Sequence, residues 1–289
     1  MNVFVYGSLR RGLHNSGLLK NQHLVTTHAW CYGLLYDTGS GYPVLILDGS
    51  NKIFGEIYDV DEKCLEKLNL LEGYDEYSMT NFYNRETINI QTNKGIKKAY
   101  VYTMEQPRGY YRLIEDGDWV VEKYLQENDG NYLYFAYGSC MDTNRMKEKG
   151  VDHLFTDVDG VGQLEGFSVR FTHRSESDNK GRADLVENED IVEGIVYRIG
   201  IDAFEYLKRR EGAPFYYRAV LVNVTINKKI EKMLTFIAVN KTNETPPPKE
   251  YVREIVRGAT GRLSEPYIKK LVTHIDSLQN EIKENRGSK

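Results

Sequence analysis

The chain has 289 residues, of which 28% are charged, and a formal net charge of -4 at pH 7. Acidic and basic residues are mixed throughout, which argues against nucleic acid or an anionic membrane as a partner. The longest apolar runs fall short of the roughly 20 residues of a membrane helix, and the N-terminus lacks the features of a signal peptide, so we expect a cytoplasmic protein of about two domains.

The predicted elements of the first half begin with a strand over residues 2–6, rich in Val, Phe and Tyr, which runs into Gly7. Alternating apolar residues predict a second strand over 54–60. The stretch DVDEKCLEKLNLLEG then has helical periodicity, with Asp61 as a plausible N-cap and Gly73 just past the C-terminus. The stretch YNRETINI predicts a further strand.

The second half repeats this order after the polar segment QENDGN, residues 126–131, which is typical of a linker. Strands are predicted over 132–137 and 193–199, followed by a helix in IDAFEYLKRREG that ends at Gly212. The stretch YYRAVLVNV predicts the next strand.

Spacing identifies the two halves as copies of one domain. Tyr-Gly-Ser occurs at residues 6–8 and again at 137–139. Glu72 follows Gly55 by 17 residues, and Glu211 follows Gly194 by the same 17. The sequence therefore predicts a duplicated domain with boundaries at 1–126 and 131–289.

Glu72 and Glu211 are each predicted to lie in the last turn of a short helix. The helix dipole and any burial there both disfavour a carboxylate, so its pKa should rise towards neutrality, as a general base requires. The alternative is an ordinary solvated helix end, and recurrence of the Glu at the same spacing makes the two readings about equally good.

The Tyr-Gly-Ser loops have a complementary property. A strand that ends in Gly turns successive backbone N–H groups outward, and such a concavity binds anions such as carboxylates. The alternative is a simple tight turn, but the later Glu in each half favours a site.

The motifs FVYGSLRRG and GEIYDV, followed by LEGY and YNR, resemble the γ-glutamylcyclotransferase family in its AIG2-like branch. The second half resembles a related branch through FAYGSCMDTNRM and EGIVYRI, followed by REG and YYR. The whole chain is similar to the tandem two-domain form that occurs in relatives of Bacillus. The resemblance implies an α+β fold with two tandem γ-glutamylcyclotransferase-like domains, each a small mixed β-barrel surrounded by short helices.

The resemblance also implies a reaction and its residues. The substrate's own α-amine would attack its γ-glutamyl amide, releasing 5-oxoproline and a free amine or amino acid, with Glu72 and Glu211 as acid/base. No cofactor or metal is implied, and the six histidines show no paired ligand spacing. The γ-glutamyl group would be cradled by Tyr6, Gly7, Ser8 and Leu9 in the first domain and by Tyr137, Gly138, Ser139 and Cys140 in the second.

Cys140 departs from the family pattern, in which Asn often follows Tyr-Gly-Ser, and a thiol is a poor substitute for an amide. One alternative makes Cys140 a nucleophile paired with His153 or His173. Another makes the protein a non-catalytic sensor or binding module for γ-glutamyl-like small molecules. The sequence leaves open the leaving amine, which domain is active and the oligomeric state.

Overall fold

The computed structural model describes residues 1–287, with side chains to Asn280, and divides into two compact units, Met1–Tyr124 and Leu125–Lys289. Among the residues described, no helix is both long and apolar enough to span a membrane. Each unit is a closed five-stranded mixed barrel with short helices, so the α+β fold with two tandem domains is confirmed.

The first unit contains a barrel with the strand order β3-β1-β5-β4-β2, which closes through pairing of β2 with β3. Within this barrel, β1 and β5 are the only neighbouring strands that run parallel. The elements in chain order are β1 (Asn2–Val5), β2 (His23–Asp37), β3 (Pro43–Asp59), α1 (Glu62–Glu72), β4 (Asn84–Thr92), β5 (Gly95–Thr103), β6 (Arg112–Leu113) and α2 (Trp119–Asn128).

The second unit contains a barrel with the order β10-β11-β7-β9-β8. Its strands match those of the first barrel one for one, including the parallel pair β7 and β11. The elements are β7 (Tyr132–Ala136), α3 (Thr143–Glu148), β8 (Val158–Arg174), β9 (Gly181–Ile199), α4 (Ile201–Glu211), β10 (Tyr217–Ile226), β11 (Lys229–Ala238), α5 (Lys249–Ala259) and α6 (Glu265–Gly287).

The glycines of the repeated strand motif allow two strands to approach closely. A Cβ on Gly55 would lie 2.3 Å from the Val5 carbonyl oxygen, and a Cβ on Gly194 would lie 2.5 Å from that of Ala136. Because real Cβ atoms do not tolerate such distances, both barrels require glycine at this point.

Helix α1 begins and ends as its sequence predicts. The Asp61 carboxylate accepts a hydrogen bond of 2.7 Å from the Cys64 backbone N–H, which is an N-cap. Gly73 and Gly212 both adopt left-handed backbone, with φ of 60° and 61°, and end α1 and α4. These caps place Glu72 and Glu211 at equivalent positions on the two barrels.

The strand β1 divides the core of the first unit. Val3 and Val5 pack with Leu65 and Leu68 of α1, whereas Phe4 belongs to a second cluster that includes Trp119. Alternate residues of a strand face opposite sides, so β1 joins the barrel interior to α1. The strand therefore brings the loop that follows it close to the end of α1.

The predicted linker over 126–131 is wrong in its first half, because α2 continues through Asn128. Trp119, Val121 and Tyr124 are buried along α2, and this packing stabilises a helix through a locally polar sequence. Only Asp129 to Asn131 separate α2 from β7, with positive φ at Asp129 and Gly130.

Candidate active sites

The first candidate site lies where β1 ends. Gly7 passes so close to the start of β3 that a Cβ there would meet Pro43 Cδ at 2.6 Å. The chain then turns, with the Arg10 backbone N–H donating to the Gly7 carbonyl at 3.0 Å. Ser8 is buried, and its hydroxyl accepts from Asn15 Nδ2 at 3.0 Å. The predicted cradle residues of this unit therefore form an ordered turn.

A cavity of about 210 Å³ brings this turn together with Glu72. The residues are far apart in sequence and meet because β1 and the C-terminus of α1 lie at the same end of the barrel. The cavity wall consists of Phe4, Val5, Tyr6, Gly7, Ser8, Leu9, His14, Asn15, Ser40, Gly41, Tyr42, Pro43, Leu71, Glu72, Phe82, Tyr83 and Tyr102.

The Glu72 carboxyl is the ionisable group best suited to proton transfer in this cavity. Burial raises its pKa to about 7, because the charged form loses solvation. Among the described residues, none donates a hydrogen bond to the Glu72 carboxyl group. A carboxyl with a pKa near 7 can accept a proton and return it at neutral pH. Desolvation is one of the two causes that the sequence suggests.

The tyrosines around Glu72 already have hydrogen-bond acceptors. Tyr83 donates to the Pro43 carbonyl at 2.8 Å, and Tyr6 donates to the Tyr102 carbonyl at 2.7 Å. Burial raises the pKa of Tyr6 and Tyr83 well above the ordinary value. These phenols therefore stay neutral and form the wall of the cavity.

A buried ion-pair cluster holds the first loop, and no motif in the sequence indicates it. Arg10 Nη1 lies 2.6 Å from Asp118 Oδ1, and Arg10 Nε lies 3.6 Å from Glu56 Oε1. Glu56 Oε2 also accepts from the Arg11 backbone N–H at 2.9 Å. The cluster thus attaches the loop to β3 and to the start of α2.

The second candidate site is larger, with a cavity of about 730 Å³. It contains Glu211 and the loop Tyr137, Gly138, Ser139 and Cys140, so the predicted residues of this unit also meet in one place. Residues 175–177, after β8, and Pro248, before α5, reach it as well. The remaining wall residues are Tyr134, Arg145, His173, Ser175, Glu176, Ser177, Arg182, Ala183, Arg209, Arg210, Gly212, Tyr216, Tyr217, Phe236, Pro248, Glu250, Tyr251 and Glu254.

An arginine distinguishes the second site from the first. Arg210 donates through Nη1 to Cys140 Sγ at 2.5 Å and through Nη2 to Ser139 Oγ at 2.9 Å. Its Nε lies 3.8 Å from Glu211 Oε1. The guanidinium therefore connects the loop to the glutamate. The only sequence signal for it is the change from LEG to REG between the two copies.

The geometry around Cys140 does not favour a thiolate nucleophile. Burial raises the pKa of the Cys140 thiol, and the thiol contacts Glu211 Oε1 at 3.7 Å. His173 lies on the cavity wall but stacks edge-to-face on Tyr217 with ring centroids 4.8 Å apart. His153 is exposed and is not part of the cavity wall.

The second loop is held by α5. Asp142 pairs with Arg257, whose Nε lies 3.0 Å from Asp142 Oδ1. A Cβ on Gly258 would lie 2.8 Å from the Met141 carbonyl carbon, so α5 packs directly on the loop. Arg262 also donates to the Met141 carbonyl. The two copies therefore fix equivalent loops by different means.

Within the part of the chain that is described, no group of three or more His, Cys, Asp or Glu side chains is arranged to hold a metal ion.

Comparison with known proteins assigns the chain to a family. The family model described as gamma-glutamyl cyclotransferase, AIG2-like, matches residues 3–121, and the AIG2-like family model matches residues 191–271. The chain is 36% identical over 281 residues to YkqA of Bacillus subtilis (strain 168), provisionally named a gamma-glutamylcyclotransferase, covering 96% of this chain and 98% of that protein. The chain belongs to the gamma-glutamylcyclotransferase family, in the AIG2-like group.

Two further comparisons agree. The crystal structure of YkqA matches with a TM-score of 0.79 at 35% identity, covering 96% of this chain and 98% of that one. The gamma-L-glutamyl-butirosin B gamma-glutamyl cyclotransferase of Niallia circulans is 34% identical over 119 residues, 41% of this chain and 74% of that protein.

Proposed function

We propose that the protein is a γ-glutamylcyclotransferase with two candidate active sites, and that at least one of them releases 5-oxoproline from γ-glutamyl amides. The observation that carries the proposal is Glu72, whose pKa of about 7 suits a general base, beside a loop of backbone donors in a cavity. The second cavity repeats the loop and the glutamate. Membership of the family supports the same chemistry.

The reaction needs one proton carrier and a folded substrate. Glu72 takes a proton from the substrate's α-ammonium group, and the free amine attacks the γ-carbonyl carbon to form a five-membered ring. The carboxyl returns its proton to the leaving nitrogen, and the bond between that nitrogen and the γ-carbon breaks. The ring nitrogen then gives up its second proton through the same carboxyl to the departing amine, which leaves as an ammonium ion. The products are 5-oxoproline and the amine, and no water is consumed.

Positioning supplies much of the rate enhancement in this scheme. Nucleophile and electrophile belong to the same molecule, so the site has to hold the substrate in its ring-closing conformer. The backbone N–H groups after Gly7 are suited to the α-carboxylate, since such turns form anion-binding concavities. Fixed donors in the same cavity can also stabilise the oxyanion that develops on the γ-carbonyl.

Glu211 takes the same role in the second unit, where it adjoins Arg210 and Cys140. The raised pKa of the Cys140 thiol disfavours an alternative covalent mechanism at this site. A binding module remains the competing class, because duplicated cavities can bind a ligand without turnover.

The test is release of 5-oxoproline from a panel of γ-glutamyl amino acids and γ-glutamylamines. We would compare wild type with Glu72→Gln, Glu211→Gln and the double variant, using Glu66→Gln as the matched control because Glu66 is exposed on α1. Loss of activity in one single variant identifies the working site. Binding of substrates without any release in wild type would overturn the enzyme proposal in favour of the binding module.

A further inference from the structure

The two cavities can be compared position by position because the same hydrogen bond is present in both. Tyr83 donates to the Pro43 carbonyl at 2.8 Å, and Tyr217 donates to the Ala183 carbonyl at 2.8 Å. Pro43 and Ala183 are therefore equivalent positions at the start of β3 and β9. The C-termini of α1 and α4 are also equivalent, and they align the opposite walls of the two cavities.

At three equivalent positions, the first unit has an uncharged residue and the second unit has an arginine. The residue before Pro43 is Tyr42, whereas the residue before Ala183 is Arg182. The two residues before each glutamate are both leucine in the first unit and both arginine in the second. The matched pairs are Tyr42 and Arg182, Leu70 and Arg209, and Leu71 and Arg210.

The first cavity has an apolar mouth. Leu71 and Phe82 line it and remain 42% and 39% exposed, and the Tyr42 and Phe82 rings meet edge-to-face at 6.1 Å. Leu70, one residue before Leu71, is 84% exposed. Among the described residues that line this cavity, none is Lys or Arg. Arg108 is not among the wall residues; its guanidinium lies 5.4 Å from the centre of the Phe82 ring and donates to the Asn81 carbonyl. A carboxylate at this mouth would therefore lose hydration without meeting a guanidinium on the cavity wall, whereas an apolar group would bury favourably.

The second cavity presents guanidinium groups at the same positions. Arg182 is oriented by Asp178, with Nη2 3.0 Å from Oδ2, and lies 5.5 Å from the centre of the Tyr251 ring. Arg209 is exposed at the cavity wall, and Arg210 lies deeper beside the loop. Guanidinium groups recognise carboxylates through paired hydrogen bonds.

The acidic residues of the same wall have other partners. Glu254 pairs with Arg145 and Glu250 pairs with Arg253, while Glu176 accepts from the Tyr216 hydroxyl at 3.1 Å. These contacts leave the exposed guanidinium of Arg209 as the cation best placed to meet an incoming anion.

We propose that the two sites select leaving amines of opposite character. The first site takes γ-glutamyl derivatives of apolar amines without a carboxylate, and the second takes derivatives whose leaving amine carries a carboxylate. Arg182 and Arg209 are the specificity-determining residues of the second site. This inference rests on the proposed function.

A matched pair of substrates isolates the effect of charge. γ-Glutamyl-phenethylamine and γ-glutamyl-phenylalanine differ only in one carboxylate on the leaving amine. Glu211→Gln protein reports the first site and Glu72→Gln protein reports the second. We expect kcat/KM to favour the phenethylamine adduct at the first site and the phenylalanine adduct at the second, each by about tenfold or more, the size expected for a hydrogen bond to a charged group.

Exchange of the matched residues tests the cause. In the Glu72→Gln background, Arg182→Tyr together with Arg209→Leu should remove the preference for the phenylalanine adduct, mainly through KM. Lys229→Leu, at an exposed residue of β11 outside the cavity wall, is the control and should leave the preference unchanged. Circular dichroism of each variant checks that the second unit is folded.

The outcomes separate this inference from the proposed function. Release from both adducts with equal ratios at the two sites would overturn the inference and leave the proposed function standing. Absence of release at both sites would overturn the proposed function and the inference with it. Where only one site releases 5-oxoproline, dissociation constants from calorimetry replace kcat/KM at the other site, and the same ratios decide.

Discussion

Replacement of Glu72 by Gln should stabilise the first unit at pH 8 and have a much smaller effect at pH 5. The carboxyl has a pKa of about 7 in the folded protein against an ordinary value of 4.5, because burial disfavours its charged form. Gln is nearly the same size but has no charge to desolvate. The substitution therefore removes a pH-dependent cost of folding.

The sign and the size of this effect on the free energy of unfolding follow from proton linkage. Below pH 4.5 the carboxyl is protonated in both states, and the free energy of unfolding is unaffected. As pH rises from 4.5 to 7, the unfolded chain ionises and the folded protein does not, so wild type loses stability through this window. The pKa difference lowers the free energy of unfolding by about 3 kcal/mol once the carboxyl is ionised in both the folded and the unfolded state. At pH 5 the loss is still below about 1 kcal/mol, so the variant should gain about 2 to 3 kcal/mol between pH 5 and pH 8.

Tryptophan fluorescence provides a selective assay, because both tryptophans, Trp30 and Trp119, lie in the first unit. Urea unfolding followed by this signal at pH 5 and pH 8 gives the free energy for wild type and variant. Glu66→Gln, at an exposed position on α1, serves as the control. An equal effect of Glu72→Gln at the two pH values would refute the raised pKa and, with it, the main support for the general base.

Three further predictions concern activity and the loops. In Glu211→Gln protein, kcat/KM of the first site should rise about tenfold from pH 6 to pH 8, because a base with a pKa near 7 ionises in this range; a flat profile would contradict this. Arg10→Met should cost about 3 kcal/mol or more in urea unfolding of the first unit and lower its activity, since it removes the guanidinium that neutralises the buried carboxylates of Asp118 and Glu56; unchanged stability would show that the ion pair is dispensable. Cys140→Ala should keep the turnover of the second site within about tenfold of wild type, whereas a covalent nucleophile would lose about a thousandfold or more; measured release of 5-oxoproline decides between them.

The repeat and its local signals could be predicted from sequence because each depends on neighbouring residues. The cap at Asp61 and the left-handed turn at Gly73 need only the chemistry of a few adjacent positions. The equal spacing of Gly55 and Glu72 in the two copies predicts that both glutamates end a helix beside the same strand. Burial as a cause of the raised pKa of Glu72 could be anticipated, but how far the carboxyl is buried depends on the folded cavity.

The features that only the tertiary structure decided all depend on residues distant in the chain. Arg10 meets Asp118 across 108 positions, and Arg257 reaches Asp142 from a helix 115 positions away. The end of α2 also follows from packing, because the burial of its apolar side chains stabilises the helix through the polar residues 126–128. The exchange of leucine and tyrosine for arginine is visible in the sequence. Only the folded barrel shows that these residues lie at the mouths of the two cavities. Pairing of β3 with β1, and of β9 with β7, places the residues before Pro43 and Ala183 beside the ends of α1 and α4.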